Sequence, residues 1–223
     1  IQTMKPLLAC LLLAAAATGA VHAQGNENKE KTVRICDDSG CSERARSSST
    51  FNPGASTGPE AEQRLASLVD IAEKDPRAAY DLGLRYLRAN LGELRERSAI
   101  AEFVIGQKTE EIVEKILTSR PRILGLGVYI WNVEESTRLV AQLKTVAPEL
   151  VIVLGGPEVS YETGEQRICA LADYVITGWG DVTFAWLVER LLCGDAPPGR
   201  IIPGVQAELK DLALPYAEYT DED

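Results

Sequence analysis

Histidine is nearly absent from this chain of 223 residues: there is one, His22, and it lies in the apolar N-terminal stretch. That excludes a Ser–His or Cys–His catalytic pair and a histidine-based metal site in the remainder. Cysteine is sparse too. Of Cys10, Cys36, Cys41, Cys169 and Cys193, only Cys36 and Cys41 are near neighbours, and a zinc site would need two further ligands beside them. Basic charge is in deficit, with 23 Lys and Arg against 33 Asp and Glu and a net charge of −10. This argues against a nucleic-acid backbone or an anionic membrane surface as the main partner. The deficit is uneven, net −2 over residues 1–82 and net −8 over 83–223. No Gly-x-Gly-x-x-Gly and no lysine-bearing phosphate loop occurs, and Gly125-x-Gly127 falls inside an apolar run rather than at its end. No pair of carboxylates is set by spacing alone for acid–base work. The apolar run Leu7 to Val21 covers 15 residues, short of the roughly 20 that a spanning helix needs.

That run is almost wholly Leu and Ala. It follows Met4-Lys5-Pro6 and leads to Val21-His22-Ala23, a small-x-small pattern. Residues 1–23 therefore read as a secretory signal peptide cleaved after Ala23, leaving a mature chain without a transmembrane span. Residues 24–58 are polar and rich in Ser, Gly, Asn and charge, the composition of a disordered linker. Within them Cys36 and Cys41 flank Asp37-Asp38-Ser39-Gly40. They either close a small disulfide loop or stay two thiols, and spacing does not choose. Residues 59–90 read as a helical pair. Leu65, Leu68, Val69 and Ala72 recur at helical spacing. Asp75 and Pro76 then suit the cap and first turn of a second helix, with Ala79, Leu82, Gly83, Tyr86 and Leu87 on one face. LRYLRANLGEL continues that helix.

From residue 91 the period changes. Ala101–Ile105 and Ile123–Ile130 read as strands, as do Val151–Leu154, Tyr174–Thr177 and the pair Ile201-Ile202. Helices fall between them. One is capped by Thr109, with Glu110 and Glu111 in its first turn. One is capped by Asn132, with Glu135 at capping-box spacing and Val133, Val140 and Leu143 toward the sheet. The others cover Glu165–Leu171 and Val182–Leu192. The alternation predicts an α/β, three-layer, flavodoxin- or Rossmann-like domain on a parallel sheet. Its glycine-ended strands would open a ligand crevice at their carboxyl ends.

AEKDPRAAYDLGLRYLR resembles one helix pair of a Sel1-type, tetratricopeptide-like repeat. GLRYLRANLGEL, LGLGVYIWNVEES, VIVLGGPEVSYE and ADYVITGWGD, in this order, resemble the cobalamin-binding (B12-binding-like) domain of B12-dependent radical SAM proteins, over about residues 83–223. This second resemblance implies cobalamin as cofactor and a radical SAM domain, normally in cis, as partner. It implies that Gly155 and Gly156, with Pro157 and Glu158, pass close to the cofactor's nucleotide tail. Gly178 and Gly180 would border the tail's base, and Gly127, Tyr129, Trp131 and Asn132 would lie on the loop between. Trp179 stands where an acidic residue is common, and Gly127 where a Ser usually faces the tail. The Asp-x-His-x-x-Gly motif of the lower cobalt ligand is absent, and the cysteines lack the Cys-x3-Cys-x2-Cys spacing, so no iron–sulfur cluster is expected on this chain. The family's first strand also has no counterpart before GLRYLR, which implies a gap in the sheet to be closed, exposed or filled by a borrowed strand. The alternative is an exported Sel1-like interaction protein with a non-functional α/β remnant. Compartment stays open, because the leader suggests export and the resemblance suggests the cytoplasm.

Overall fold

The computed structural model describes residues 7–14, 20–22, 32–37, 40–45 and 76–218, with side chains from Leu82 to Tyr216. Its strands are β1 (Leu7–Ala14), β2 (Ala20–His22), β3 (Thr32–Asp37), β4 (Gly40–Ala45), β5 (Ser98–Val104), β6 (Pro121–Gly127), β7 (Val151–Gly155), β8 (Tyr174–Thr177) and β9 (Ile201–Pro203). Its helices are α1 (Pro76–Ala89), α2 (Thr109–Thr118), α3 (Val133–Val146), α4 (Arg167–Leu171) and α5 (Asp181–Leu192). The main sheet has the order β5-β1-β6-β7-β8-β9, and β2-β3-β4 form a second, antiparallel sheet. From β6 to β9 every pairing is parallel.

Strands β6, β7 and β8 are apolar on both faces because helices cover both. Leu124, Leu126, Ile152, Leu154 and Val175 point to one side, into a core with Ile112, Val113 and Ile116 of α2, Val140 and Leu143 of α3, and Ile168 of α4. Ile123, Val153 and Ile176 point to the other, against Leu84 of α1 and Phe184, Leu187 and Val188 of α5. The result is the expected three-layer α/β fold, with α1 and α5 sharing one face. The buried stripe of α1 runs through Leu82, Leu84 and Arg85. Leu84 and Arg85 lie outside the face read from the sequence, because the sheet covers a wider arc of the helix than one repeat partner would.

Several boundaries move for local reasons. The helix of LRYLRANLGEL ends at Ala89, where Asn90 Nδ2 donates to the carbonyls of Tyr86 (2.8 Å) and Ala213 (3.1 Å). A 3-10 turn, Gly92–Arg97, then replaces it. Thr109 is not a cap. Helix α2 begins at Thr109 itself, after an extended Lys108 that makes no side-chain cap bond. Asn132 does stand at the cap position of α3 but turns its side chain backward, and Glu135 pairs with Arg138 at 3.0 Å instead of closing a capping box. The first helix of the expected pair lies outside the described residues, as does the acidic tail after Glu218. The segment read as an unstructured linker contains the β3–β4 hairpin, whose register sets Cys36 opposite Cys41.

The largest difference concerns the missing strand. The slot between β5 and β6 is filled by β1, from the stretch read as a leader, and β1 runs antiparallel to both neighbours. At the opposite, amino end of the sheet, Asp173 ties the parallel strands in register. Its Oδ2 accepts from Lys144 Nζ and from the Ile152 amide, each at 2.7 Å. Replacing Asp173 with Ala leaves an ammonium and a strand amide without this acceptor. The expected loss is about 2 kcal/mol of unfolding free energy, measured as a lower urea midpoint at unchanged m-value.

Candidate functional site

The loops that leave β6, β7, β8 and β9 all emerge at the carboxyl edge of the sheet, and hydrogen bonds tie each to the next. Where β6 ends, Asn132 is fully buried. Its Oδ1 accepts from the Tyr129 amide at 2.9 Å and its Nδ2 donates to the Gly127 carbonyl at 3.2 Å. These two bonds fold residues 127–132 into a tight loop, which is why the strand stops at Gly127 rather than Ile130. Tyr129 stacks on Trp131 with ring centroids 4.6 Å apart, and burial pushes the Tyr129 phenol pKa upward. Both rings pack against the α1–α5 core.

The Val128 amide leaves the ladder and donates to Gly155 O at 2.8 Å, and Val128 O accepts from the Glu158 amide at 3.3 Å. Gly156 sits at φ +108°, and a Cβ there would lie 2.5 Å from Val128 O. The lack of a side chain at Gly156 therefore serves a contact between two protein loops. Gly155 is under no such demand, since the nearest atom to its Cβ position is Ile176 O at 4.0 Å. Pro157 is exposed and Glu158 half-buried beside them.

Ser160 makes the next link. Its Oγ donates to Gly156 O at 2.8 Å and accepts from the Gly178 amide at 3.0 Å. Gly178 has φ +73° with open space around its Cβ position, while a Cβ on Gly180 would meet Leu87 Cδ2 of α1 at 3.4 Å. The fourth link is Gly204, whose amide donates to Thr177 O at 2.7 Å. A Cβ on Gly204 would overlap Trp179 O at 2.0 Å. Val205 then donates its amide to Thr183 Oγ1 at 2.9 Å.

All ten residues proposed from the sequence thus lie on this one edge. Ser160, Gly204 and Thr183 were missed, as no local motif marks a residue whose partner is on another loop. Also missed were the apolar side chains that stand out from the edge, one per loop: Ile130 (76% exposed), Tyr161 (77%), Trp179 (56%) and Val205 (62%). A run of exposed apolar groups along the ligand edge of an α/β sheet marks a surface to be covered. A surface groove of about 430 Å³ lies elsewhere, between α2 and α3, and touches none of these loops. Among the described residues no group of three or more His, Cys, Asp or Glu side chains is placed to hold a metal ion. Among them, too, no helix is long and apolar enough to cross a membrane.

Residues 69–188 match the B12 binding domain family, 120 of the 223 residues. The chain belongs to the B12-binding domain family. The match takes in α1, so the helix likened to a Sel1 repeat stands where the B12-binding domain has its own sequence. One similar solved structure is the N-terminal domain of a hypothetical protein of Thermotoga maritima, 23% identical, covering 44% of this chain and 72% of that one at a TM-score of 0.32. No curated protein matches.

Two outcomes separate strain from open space along the edge. Gly156→Ala combines positive φ with a backbone clash and should cost about 3 kcal/mol. Gly178→Ala meets only the left-handed backbone penalty of about 1 kcal/mol. Thermal melts of the two variants give the ordering. Asp181, in the first turn of α5, has its carboxyl pKa raised by burial, a shift partly opposed by its own backbone hydrogen bond. The folded state then holds its proton to higher pH than the unfolded state. The ionised group opposes folding above the folded value, and this opposition fades as pH falls toward the unfolded value of about 3.9. Asp181→Asn should therefore raise the melting temperature at pH 7 and give no such gain below about pH 3.9.

Proposed function

We propose that the chain is a cobalamin-binding module, with the cofactor seated on the carboxyl edge of β6 to β9, and that it serves a radical SAM domain. The observation that carries the seat is the row Ile130, Tyr161, Trp179 and Val205, one exposed apolar side chain on each of four linked loops. A broad macrocycle whose edge carries methyl groups among its amides is a ligand of the right shape to cover such a row, and the glycine-rich loops beneath it bring backbone to the surface. Gly178, whose Cβ position is open, leaves room for a group lying flat on the β8 loop. Gly155, Pro157 and Glu158 form the neighbouring wall, and Tyr129 and Trp131 stiffen the loop after β6 from within. Gly156 has a structural reason of its own, so we assign it to shaping the wall and not to touching the cofactor.

Cobalamin supplies cobalt-centred radical or alkyl-transfer chemistry when bound. The residues from Ala23 onward contain no histidine, so this part of the chain offers no imidazole to the cobalt. Its contribution is to bind, orient and shield one face of the cofactor. The radical SAM partnership is supported by the resemblance of LPYAEYTDED to the linker that precedes such a domain.

Hydroxocobalamin titrated into micromolar protein should give a saturable change in visible absorbance. Trp179→Ala should weaken that binding roughly tenfold, because part of an indole's apolar contact is lost. A titration with no spectral change removes the reading.

A further inference from the structure

Strands β5 and β6 run in the same direction, yet they do not pair. One strand width separates them, and β1 occupies it. Leu7 to Leu13 stand opposite Val104 to Ser98 in β5, and Cys10 to Leu13 stand opposite Leu126 to Ile123 in β6. A register shift between Leu13 and Ala14 ends the second ladder. Without β1, two inner edges would each present a row of unpaired N–H and C=O groups between two helical layers. Buried backbone groups of this kind are rarely left without partners. The sequence of the segment, LLACLLLA, suits an inner position of a sheet with helices on both faces, where strands are apolar throughout rather than alternating. Pro6 precedes it and Gly19 follows it, so nothing inside the run breaks a ladder. Between Ala14 and Pro76 lie 61 residues, ample chain for an antiparallel entry that a short βα loop would forbid.

We propose that Leu7–Ala14 is an intramolecular donor strand, docked in a strand-acceptor slot between β5 and β6 and retained in the folded protein. The same residues read in the sequence as the apolar part of an export leader, and the two fates exclude each other. A chain whose N-terminus is threaded into a membrane or cleaved after Ala23 has an open slot. A chain that keeps it has a closed sheet. The slot accepts an extended, uncharged, apolar segment, and its occupant is this segment of the same chain. Because β1 is antiparallel, its amino end reaches the carboxyl edge of the sheet, where Leu7 pairs with Val104. Docking therefore also closes the ligand edge on the β5 side. The proposal rests on backbone pairing and is independent of whether cobalamin binds.

Register supplies the test. Cys10 stands opposite Ala101 of β5, and Val104 lies three residues further along. In the full chain carrying Cys36→Ser, Cys41→Ser and Cys193→Ser, the variants Ala101→Cys and Val104→Cys are oxidised with diamide and digested. Mass spectrometry should find the intramolecular 10–101 link at least tenfold in excess of the 10–104 link. In parallel, a chain lacking residues 1–15 should melt about 10 °C lower, and a synthetic peptide of residues 5–16 should restore the difference. Equal yields of the two links, or a 10–101 link found only between two copies, would overturn the proposal. So would an unchanged melting temperature in the shortened chain.

Discussion

The close approach of two backbones, Gly156 against Val128, is the contact on which the carboxyl edge of the sheet depends. Bringing a carbonyl within 2.5 Å of a Cβ position is possible only where there is no Cβ, and the positive φ at Gly156 makes the same demand from a second direction. Once that contact is made, the Val128 amide is free to cap the end of β7 at Gly155, and Val128 O to receive Glu158. Ser160 then carries the chain of contacts to Gly178, and Gly204 closes it on the other side of Trp179. Four loops that could each be mobile become one wall, and that wall is what holds four apolar side chains out toward solvent.

How much of this was legible beforehand depends on whether the cause was local. Strands β6 to β8 could be read because a doubly covered parallel strand must be a continuous apolar run, and Tyr174–Thr177 was placed to the residue. The carboxyl edge was found through its glycines. The reason for those glycines was not, since a sequence does not show whether the missing Cβ makes room for a ligand or for another loop. Gly156 looked like a ligand glycine and packs on protein, while Gly204, under a tighter contact, carried no signal. Asn132 and Thr109 show the same limit at helix starts. Cap residue types were present, but the Asn132 side chain found a better use in closing its own loop. Ile130, Tyr161, Trp179 and Val205 are scattered along the chain, and only the fold gathers them.

The leader shows the limit most sharply, because one string of residues fits two physical environments. An apolar run of Leu and Ala without charge suits a lipid-facing helix segment and equally suits a strand buried between two helical layers. Composition does not separate them; in the described topology the run is a strand. The resemblance implied a gap in the sheet, to be closed, exposed or filled by a borrowed strand, because the family's first strand has no counterpart before GLRYLR. The strand that arrives is antiparallel, and this has a consequence for the ligand edge. A parallel strand would end at that edge and continue into a loop there. An antiparallel strand begins there and carries its chain away from it. Among the described residues the loops after β6 to β9 form this edge, and none of them contains a histidine. The segment that completes the sheet thus brings its amino end to that edge, and not a loop that follows a strand.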